Sequence, residues 1–379
     1  MIILKILSNF IFFIINMLIL KTLKFILFIL CLTLLVIFLL GLYIFIRNIY
    51  IRHYYKKLFS SPSSLVFSIK SSIKSSTYSL ENWMDNVNPT TPINKLVIPG
   101  THDSLTFEWE KSFSLAQQIS SIWAKTQYLT IGQQLLAGVR YFDVRIGICT
   151  SIFCNGDKTV VAFHSDYSSN VKYEDVIHEL IEFSKTHPSE LIIWKVRISN
   201  NDESVRSLTT QMHKMLNVIQ PTSSYFDKTI GELRNQRPDK TSAGIIFTSD
   251  NYTDDYVWPN SKIFDPYDYN AIQTDQNSFT FHSPRFTMSM NKIYSGKEVD
   301  QSSISVMQMI AEYQISDLTT VLESIETIST KINKSITEKK MPPPPKSGYN
   351  IIMIDFITPV LCDGIIQMNP STVFLEKTT

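Results

Sequence analysis

The chain has 379 residues, a formal net charge of +1, and 44% hydrophobic against 18% charged residues, averages that describe an ordinary soluble protein of one large or two small domains. The charge is unevenly placed: residues 1–80 carry nine Lys/Arg and no acid, while the remaining 299 carry 26 basic groups against all 34 acids. A basic arm ahead of an acidic body suggests that the arm meets a membrane or another polyanion, and it argues against nucleic acid as a partner of the body. Four cysteines exclude a disulfide scaffold, and their spacings match no zinc-site pattern.

Residues 25–46 (FILFILCLTLLVIFLLGLYIFI) contain no charge. As a helix they would reach roughly 33 Å, the thickness of a bilayer's hydrocarbon core. A helix buried in a soluble core would show a polar stripe, and this one has none. A second apolar run within residues 2–20 is broken by Ser8, Asn9 and Asn16. It is compatible with a second span, an interfacial helix or the front of an uncleaved signal anchor. A cleavable signal peptide fits poorly, because no small-residue cleavage site follows and the first alanine is Ala116. Residues 1–46 therefore read as a membrane anchor and 47–80 as a basic, Ser-rich juxtamembrane tether. Two spans in a hairpin would place the body in the cytosol by the positive-inside rule. The nearby pair Cys149 and Cys154, with the sequons at Asn251 and Asn333, would suit a lumen instead, so the side stays open.

From residue 81 onward, β-branched or aromatic runs alternate with amphipathic stretches. The runs are Lys95–Pro99, Val139–Ile146, Thr159–His164, Glu190–Val196, Ala243–Thr248 and Asn350–Ile357; helices are expected over Thr130–Ala137, Tyr173–Thr186, Glu203–Val218 and Ser302–Glu338. Continuous apolar strands separated by helices imply parallel strands buried on both faces. One domain over 81–379, of α/β class and barrel-like, fits better than an open sheet. Chemistry in such a barrel collects where strands run into loops. Those ends carry His102 and Asp103, Asp143 and Arg145, His164 and Asp166, Lys195 and Arg197, and Asp355. Two imidazoles, several carboxylates and an arginine suit phosphoryl chemistry in which one histidine is the base and the other the acid. His178, His187, His213 and His282 read as structural.

Two strings carry a resemblance. Ile98-Pro99-Gly100-Thr101-His102-Asp103-Ser104 resembles the opening motif of the phosphatidylinositol-specific phospholipase C X-domain superfamily, and Gly138-Val139-Arg140-Tyr141-Phe142-Asp143-Val144-Arg145 resembles its second. The likeness continues through His164, Lys195, Trp258-Pro259-Asn260 and Asp355, and covers roughly residues 81–375. It implies a distorted (β/α)8 TIM-type barrel behind the N-terminal transmembrane segment or segments. It also implies cleavage of an inositol phospholipid into diacylglycerol and a cyclic inositol phosphate. By the same resemblance His102 is the base, oriented by Asp355, and His164 the acid, partnered by Asp103. Arg145 would stabilise the phosphate with Asp143 beside it, and Lys195 would line the mouth. Asp265 and Tyr267 resemble residues that contact the inositol ring. Calcium-dependent members carry His-Asn in the first motif and paired acids in the second. Here His102-Asp103 and Asp143-Val144-Arg145 put a fixed cation in the ion's place, which implies no metal and no cofactor.

The departures are Ser165 where the family has glycine, and Thr248-Ser249-Asp250 where bacterial enzymes have an inositol-binding arginine. The expected partners are a lipid substrate and the bilayer, and nothing points to an obligate protein partner. A catalytically silent lipid-binding barrel is the competing reading. A glycerophosphodiesterase fits less well, lacking the metal-binding acids that chemistry uses.

Overall fold

The computed structural model describes residues 2–58, 78–107, 124–149, 159–164, 167–199, 203–222, 225–264, 302–310, 325–338 and 350–375. The chain divides into two compact units, Met1–Leu58 and Phe59–Thr379.

The first unit is one helix, α1 (Ile2–Leu58), 57 residues without a turn between the two apolar runs, so those runs do not form a hairpin of two spans. Its segment Met17–Leu39 is long and apolar enough to cross a membrane, and none of that segment is buried against protein. By length and composition a signal sequence passes the same test. The Ser-rich stretch of the expected tether lies almost wholly outside the described residues.

Among its described residues the second unit has ten strands: β1 (Ile98–Thr101), β2 (Tyr141–Ile148), β3 (Val160–His164), β4 (Tyr167–Lys172), β5 (Leu191–Ile198), β6 (Gly244–Ser249), β7 (Val257–Pro259), β8 (Ile263–Phe264), β9 (Ile304–Met309) and β10 (Ile351–Ile354). Eight of them follow the path β7-β6-β5-β2-β1-β10-β9-β8. Every pairing along it is parallel. The strands at the two edges, β7 and β8, are joined by a single 3-10 turn, Asn260–Lys262. Three residues bridge at most roughly 14 Å, so the sheet must curl until its edges approach. Among the described residues β7 and β8 do not pair, which leaves the barrel distorted and incompletely closed.

Alternation along the strands sorts their side chains into two layers. Phe142, Val144, Ile146, Ile192, Trp194, Val196, Ile245, Phe247, Ile352 and Ile354 belong to the larger core cluster, shared with the helices. These include α3 (Tyr173–Thr186), α6 (Ile325–Thr337) and α7 (Pro359–Ile366). Strand residues of the other parity, Ile98, Tyr141, Leu191, Ile193, Ile246, Val306, Ile351 and Met353, form the inner cluster. Continuing on that inner parity toward the strands' C-terminal ends, the letters change to His102, Asp143 and Arg145, Lys195 and Arg197, Asp250 and Asp355. The barrel interior is thus apolar at one end and charged at the other, where the loops begin.

Local signals explain the shorter helices. α2 (Ile131–Leu136) and α5 (Ile230–Gln236) each start with a reciprocal capping box, Thr130 with Gln133 and Thr229 with Glu232. α7 has Thr358 as its N-cap and Pro359 in its first turn. α4 covers Glu203–Met215, shorter than expected.

Three expectations need correction. The run at Thr159–His164 is not a parallel barrel strand: β3 pairs antiparallel with both β2 and β4 as a side hairpin, because an apolar run does not encode its direction. The expected helix over Ser302–Glu338 begins instead with β9. There Ile304 and Val306 pack on one layer and Met307 and Met309 on the other; apolar letters this dense fit either period. Trp258, read as part of a motif loop, is fully buried in the inner cluster and donates to the Ile219 carbonyl at 2.8 Å.

Candidate active site

The opening motif turns sharply after β1. Gly100 is required by close approach: a Cβ there would lie 2.9 Å from Ile351 Cγ2 and 3.0 Å from Tyr141 Cδ1. Asp103 has φ +42°, a left-handed conformation uncommon for a residue with a side chain. The turn is held from β2, since Ser104 N–H donates to the Asp143 carbonyl at 2.8 Å and Asp103 N–H to Asp143 Oδ2 at 3.3 Å.

His102 is almost wholly buried. Its Nδ1 lies 2.9 Å from Asp355 Oδ1, and its Nε2 lies 3.1 Å from the Arg145 guanidinium and 3.4 Å from Asp103 Oδ2. Arg145 Nε reaches Asp103 Oδ1 at 2.6 Å and its Nη2 reaches Asp143 Oδ2 at 3.0 Å. His164, at the end of β3, directs Nδ1 to the Ala124 carbonyl at 2.8 Å and Nε2 to Asp103 Oδ2 at 3.4 Å. The two imidazole rings sit edge to face with centroids 6.4 Å apart. Lys195, opposite Asp143 in the β2–β5 register, pairs with Asp250 at 3.2 Å. Arg197 pairs with the other oxygen of the same carboxylate. All six residues read as catalytic, His102, Asp103, Asp143, Arg145, His164 and Asp355, therefore meet at the charged end of the barrel, with Lys195 at their edge. Asp265 and Tyr267 lie outside the described residues, as does Asp166.

The charges tune one another. Burial alone would lower the proton affinity of His102, and Arg145 adds to that; Asp103 and Asp355 outweigh both, so the imidazole is raised above its ordinary value of 6.5. Burial would raise the Asp143 carboxyl, but Arg145 foremost, with His102 and Lys195, holds it well below the usual carboxylate range. The Arg145 guanidinium is held charged by Asp103 and Asp143 against the cost of burial. His102, Asp103 and Asp143 offer ligand-type atoms within 4.8 Å of one another, a spacing that a metal ion could bridge. The guanidinium already lies on both carboxylates, so the positive charge of this cluster comes from the chain itself.

Sequence reasoning missed the residues that hold the machinery. The segment Ala124–Gln127 straps both histidines. Beside the Ala124 contact to His164, Thr126 Oγ1 donates to the His102 carbonyl at 2.9 Å. Gln127 Nε2 donates to the carbonyls of His102 and Ile354, both at 3.1 Å. From α6, Ser329 Oγ donates to Asp355 Oδ2 at 3.1 Å and Asn333 Nδ2 to the Asp355 carbonyl at 2.8 Å. No sequence signal marks the strap, because its polar side chains serve main-chain acceptors. Of the histidines read as structural, His178 is exposed and His187 stacks on Phe183 at 4.0 Å. Cys149 is disulfide-bonded, with its partner outside the described residues, and Cys31 and Cys362 are free.

Fold and site together define a parallel α/β barrel whose charged mouth holds two histidines, an arginine and their carboxylates. No family model matches the chain. Among curated proteins it is similar to 1-phosphatidylinositol phosphodiesterase of Listeria monocytogenes, 23% identical over 226 residues, covering 56% of this chain and 66% of that protein. It is also similar to human PI-PLC X domain-containing protein 2, 32% identical over 131 residues, 29% of this chain and 41% of that protein. The matches thus span less than two thirds of these relatives' lengths. Among solved structures, phosphatidylinositol-specific phospholipase C from Listeria monocytogenes superposes with a TM-score of 0.54 at 19% identity, over 77% of this chain and all of that one. That likeness establishes the fold. The chain is thus similar to phosphatidylinositol-specific phospholipase C and PI-PLC X domain-containing proteins, the likeness its motifs carry.

Proposed function

We propose that this protein is a membrane-anchored phosphodiesterase that cleaves an inositol phospholipid by paired histidine catalysis. One observation carries the reading: both imidazoles share Asp103, and His102 alone of the two has the Arg145 guanidinium against a ring nitrogen. His102 places Nδ1 against a carboxylate and Nε2 3.1 Å from a guanidinium N–H, closer than the 3.4 Å to Asp103 Oδ2, and the guanidinium contact suits an Nε2 lone pair and hence a base. His164 places Nδ1 against the Ala124 carbonyl and Nε2 against Asp103 Oδ2, partners that orient its ring toward the shared carboxylate and suit the role of acid.

In the proposed reaction His102 Nε2 takes the proton of the inositol 2-hydroxyl, and that oxygen attacks phosphorus. Arg145 neutralises the charge developing on the phosphate oxygens, its planar fork suiting bidentate contact. His164 gives a proton to the departing diacylglycerol oxygen. The products are diacylglycerol and an inositol 1,2-cyclic phosphate. The reaction proceeds without calcium, because Arg145 supplies the positive charge. Met17–Leu39 spans the bilayer; its described side chains are exposed along the whole segment, a surface that lipid would cover.

The test is turnover of phosphatidylinositol in mixed micelles by the full chain, followed by phosphorus NMR. A cyclic phosphate product, lost by at least about 100-fold in His102→Ala, is the expected result. No turnover by the wild-type chain, with lipid binding retained in both proteins, would favour the silent lipid-binding barrel.

A further inference from the structure

We propose that Ser329 and Asn333 of α6 are positioning residues that act on His102 through Asp355, so that one helix face completes a Ser329–Asp355–His102 relay. The proposal rests on the reading of His102 as the base and extends it to two residues of α6.

Asp355 is fully buried, so each of its oxygens needs a donor from the protein. Oδ1 faces His102 Nδ1 at 2.9 Å, Oδ2 accepts from Ser329 at 3.1 Å, and the main-chain oxygen accepts from Asn333 at 2.8 Å. The following residue, Phe356, has φ +52°, and its N–H donates to the Thr126 carbonyl at 2.6 Å. The chain at Asp355 is thus pinned in a strained turn by α6 on one side and the Ala124–Gln127 strap on the other. Ser329 and Asn333 are spaced i, i+4, which puts them on one helix face. Both are buried, Ser329 completely and Asn333 to 6% exposure. A buried serine in mid-helix commonly bonds back to its own helix; here the hydroxyl is directed at the carboxylate.

The consequence is electrostatic as well as steric. A hydrogen bond to Oδ2 spreads the negative charge of Asp355 and weakens its hold on a proton at His102. Among the described residues, the groups facing His102 are Asp103, Asp355, Arg145 and, beyond it, Asp143, with the His164 ring opposite and Lys195 beside Asp143. Ser329 adjusts one member of this set without touching the others. Removing its hydroxyl concentrates charge on Asp355 and makes the imidazolium harder to deprotonate.

The experiment is the His102 imidazole titration by NMR in the full chain, in detergent, with the pH profile of kcat/KM alongside. Ser329→Ala should move the His102 midpoint and the acid limb to higher pH, by up to about one unit. At pH 6 that gives a loss of up to about tenfold, recovered above the limb. Ser329→Thr, which keeps the hydroxyl, should stay near wild type. If Ser329→Ala fails to fold, Ser329→Cys, a similar shape with a weak donor, takes its place. A lowered Tm with the His102 midpoint unmoved would reduce Ser329 to a packing role and overturn the proposal. The titration requires no turnover, so an inactive wild-type chain would sink the enzyme reading while this one is still decided.

Discussion

The Arg145 guanidinium lies 3.1 Å from Nε2 of His102, against the nitrogen that would take the substrate proton, while its other bonds run to Asp103 and Asp143. The cation proposed to grip phosphate therefore rests against the proposed base. It also lowers the proton affinity of His102, opposing the two aspartates.

Substituting Arg145 should consequently do two separable things. Arg145→Lys keeps a charge but loses the fork, and turnover should fall by roughly 10²–10³-fold. Arg145→Ala leaves the carboxylates of Asp103 and Asp143 buried without their counter-ion and should cost about 3–5 kcal/mol of stability, read as a lower Tm. Turnover by Arg145→Lys within tenfold of wild type would refute the phosphate role.

Chelation should leave turnover unchanged. The three ligand-type groups at the centre are His102, Asp103 and Asp143, and Arg145 already pairs with both acids. Assays with and without excess chelator, and with calcium restored, decide it: activity that vanishes in chelator and returns with calcium contradicts the proposal.

The raised proton affinity of His102 fixes the sign of the pH dependence. A base works only when deprotonated, so kcat/KM should be low at pH 6 and rise through a midpoint above 6.5. For stability, the protonated imidazole favours the folded state. Its contribution is complete below pH 6.5 and disappears as pH rises through the higher folded value. Asp143 acts oppositely, stabilising above its ordinary 3.8 and losing that contribution as pH falls through its depressed folded value. Tm measured against pH for wild type and His102→Asn should differ most below pH 6.5 and converge above the His102 midpoint.

Gly100 should tolerate no larger residue. A methyl group at 2.9 Å from Ile351 Cγ2 and 3.0 Å from Tyr141 forces apart β10, β1 and β2 just below the mouth. Gly100→Ala should lose about 1–3 kcal/mol and also turnover, since His102 and Asp355 sit at the ends of the strands displaced. Denaturant melts and the micelle assay measure the two effects, and an unchanged midpoint would show that the neighbours yield.

Much of the charged cluster was legible in the sequence because several members follow an apolar run on the inner parity: Ile98 precedes His102, Tyr141 precedes Asp143, Ile193 precedes Lys195 and Met353 precedes Asp355, whereas Asp103 lies in the turn and His164 on the side hairpin. Strand direction was not legible. β3 carries the same apolar letters as its neighbours, and only the antiparallel register Ile148 to Val160 shows it to be a hairpin arm. Nor were the supporting residues. Ser329 falls in a stretch that reads as continuous helix, and its role depends on a partner 26 residues away. Thr126 and Gln127 bond to main-chain carbonyls, which every residue possesses, so their identity alone names no partner.

The sequon at Asn333 is consumed by the fold. Its Nδ2 donates to the Asp355 carbonyl at 2.8 Å and the side chain is buried, so a glycan attached there would prevent α6 from docking behind the base. Asn251, half-buried, closes a two-bond bridge with Ile198, donating to its carbonyl at 2.7 Å and accepting from its N–H at 3.1 Å. Active protein expressed in eukaryotic cells should therefore carry no glycan on Asn333, whichever side of the membrane the body occupies. Peptide mass spectrometry of the active fraction reads this directly. Asn333→Ala should lose about 1–3 kcal/mol by leaving a buried carbonyl without its donor, whereas a sequon used only for glycosylation would tolerate the change with stability and turnover intact.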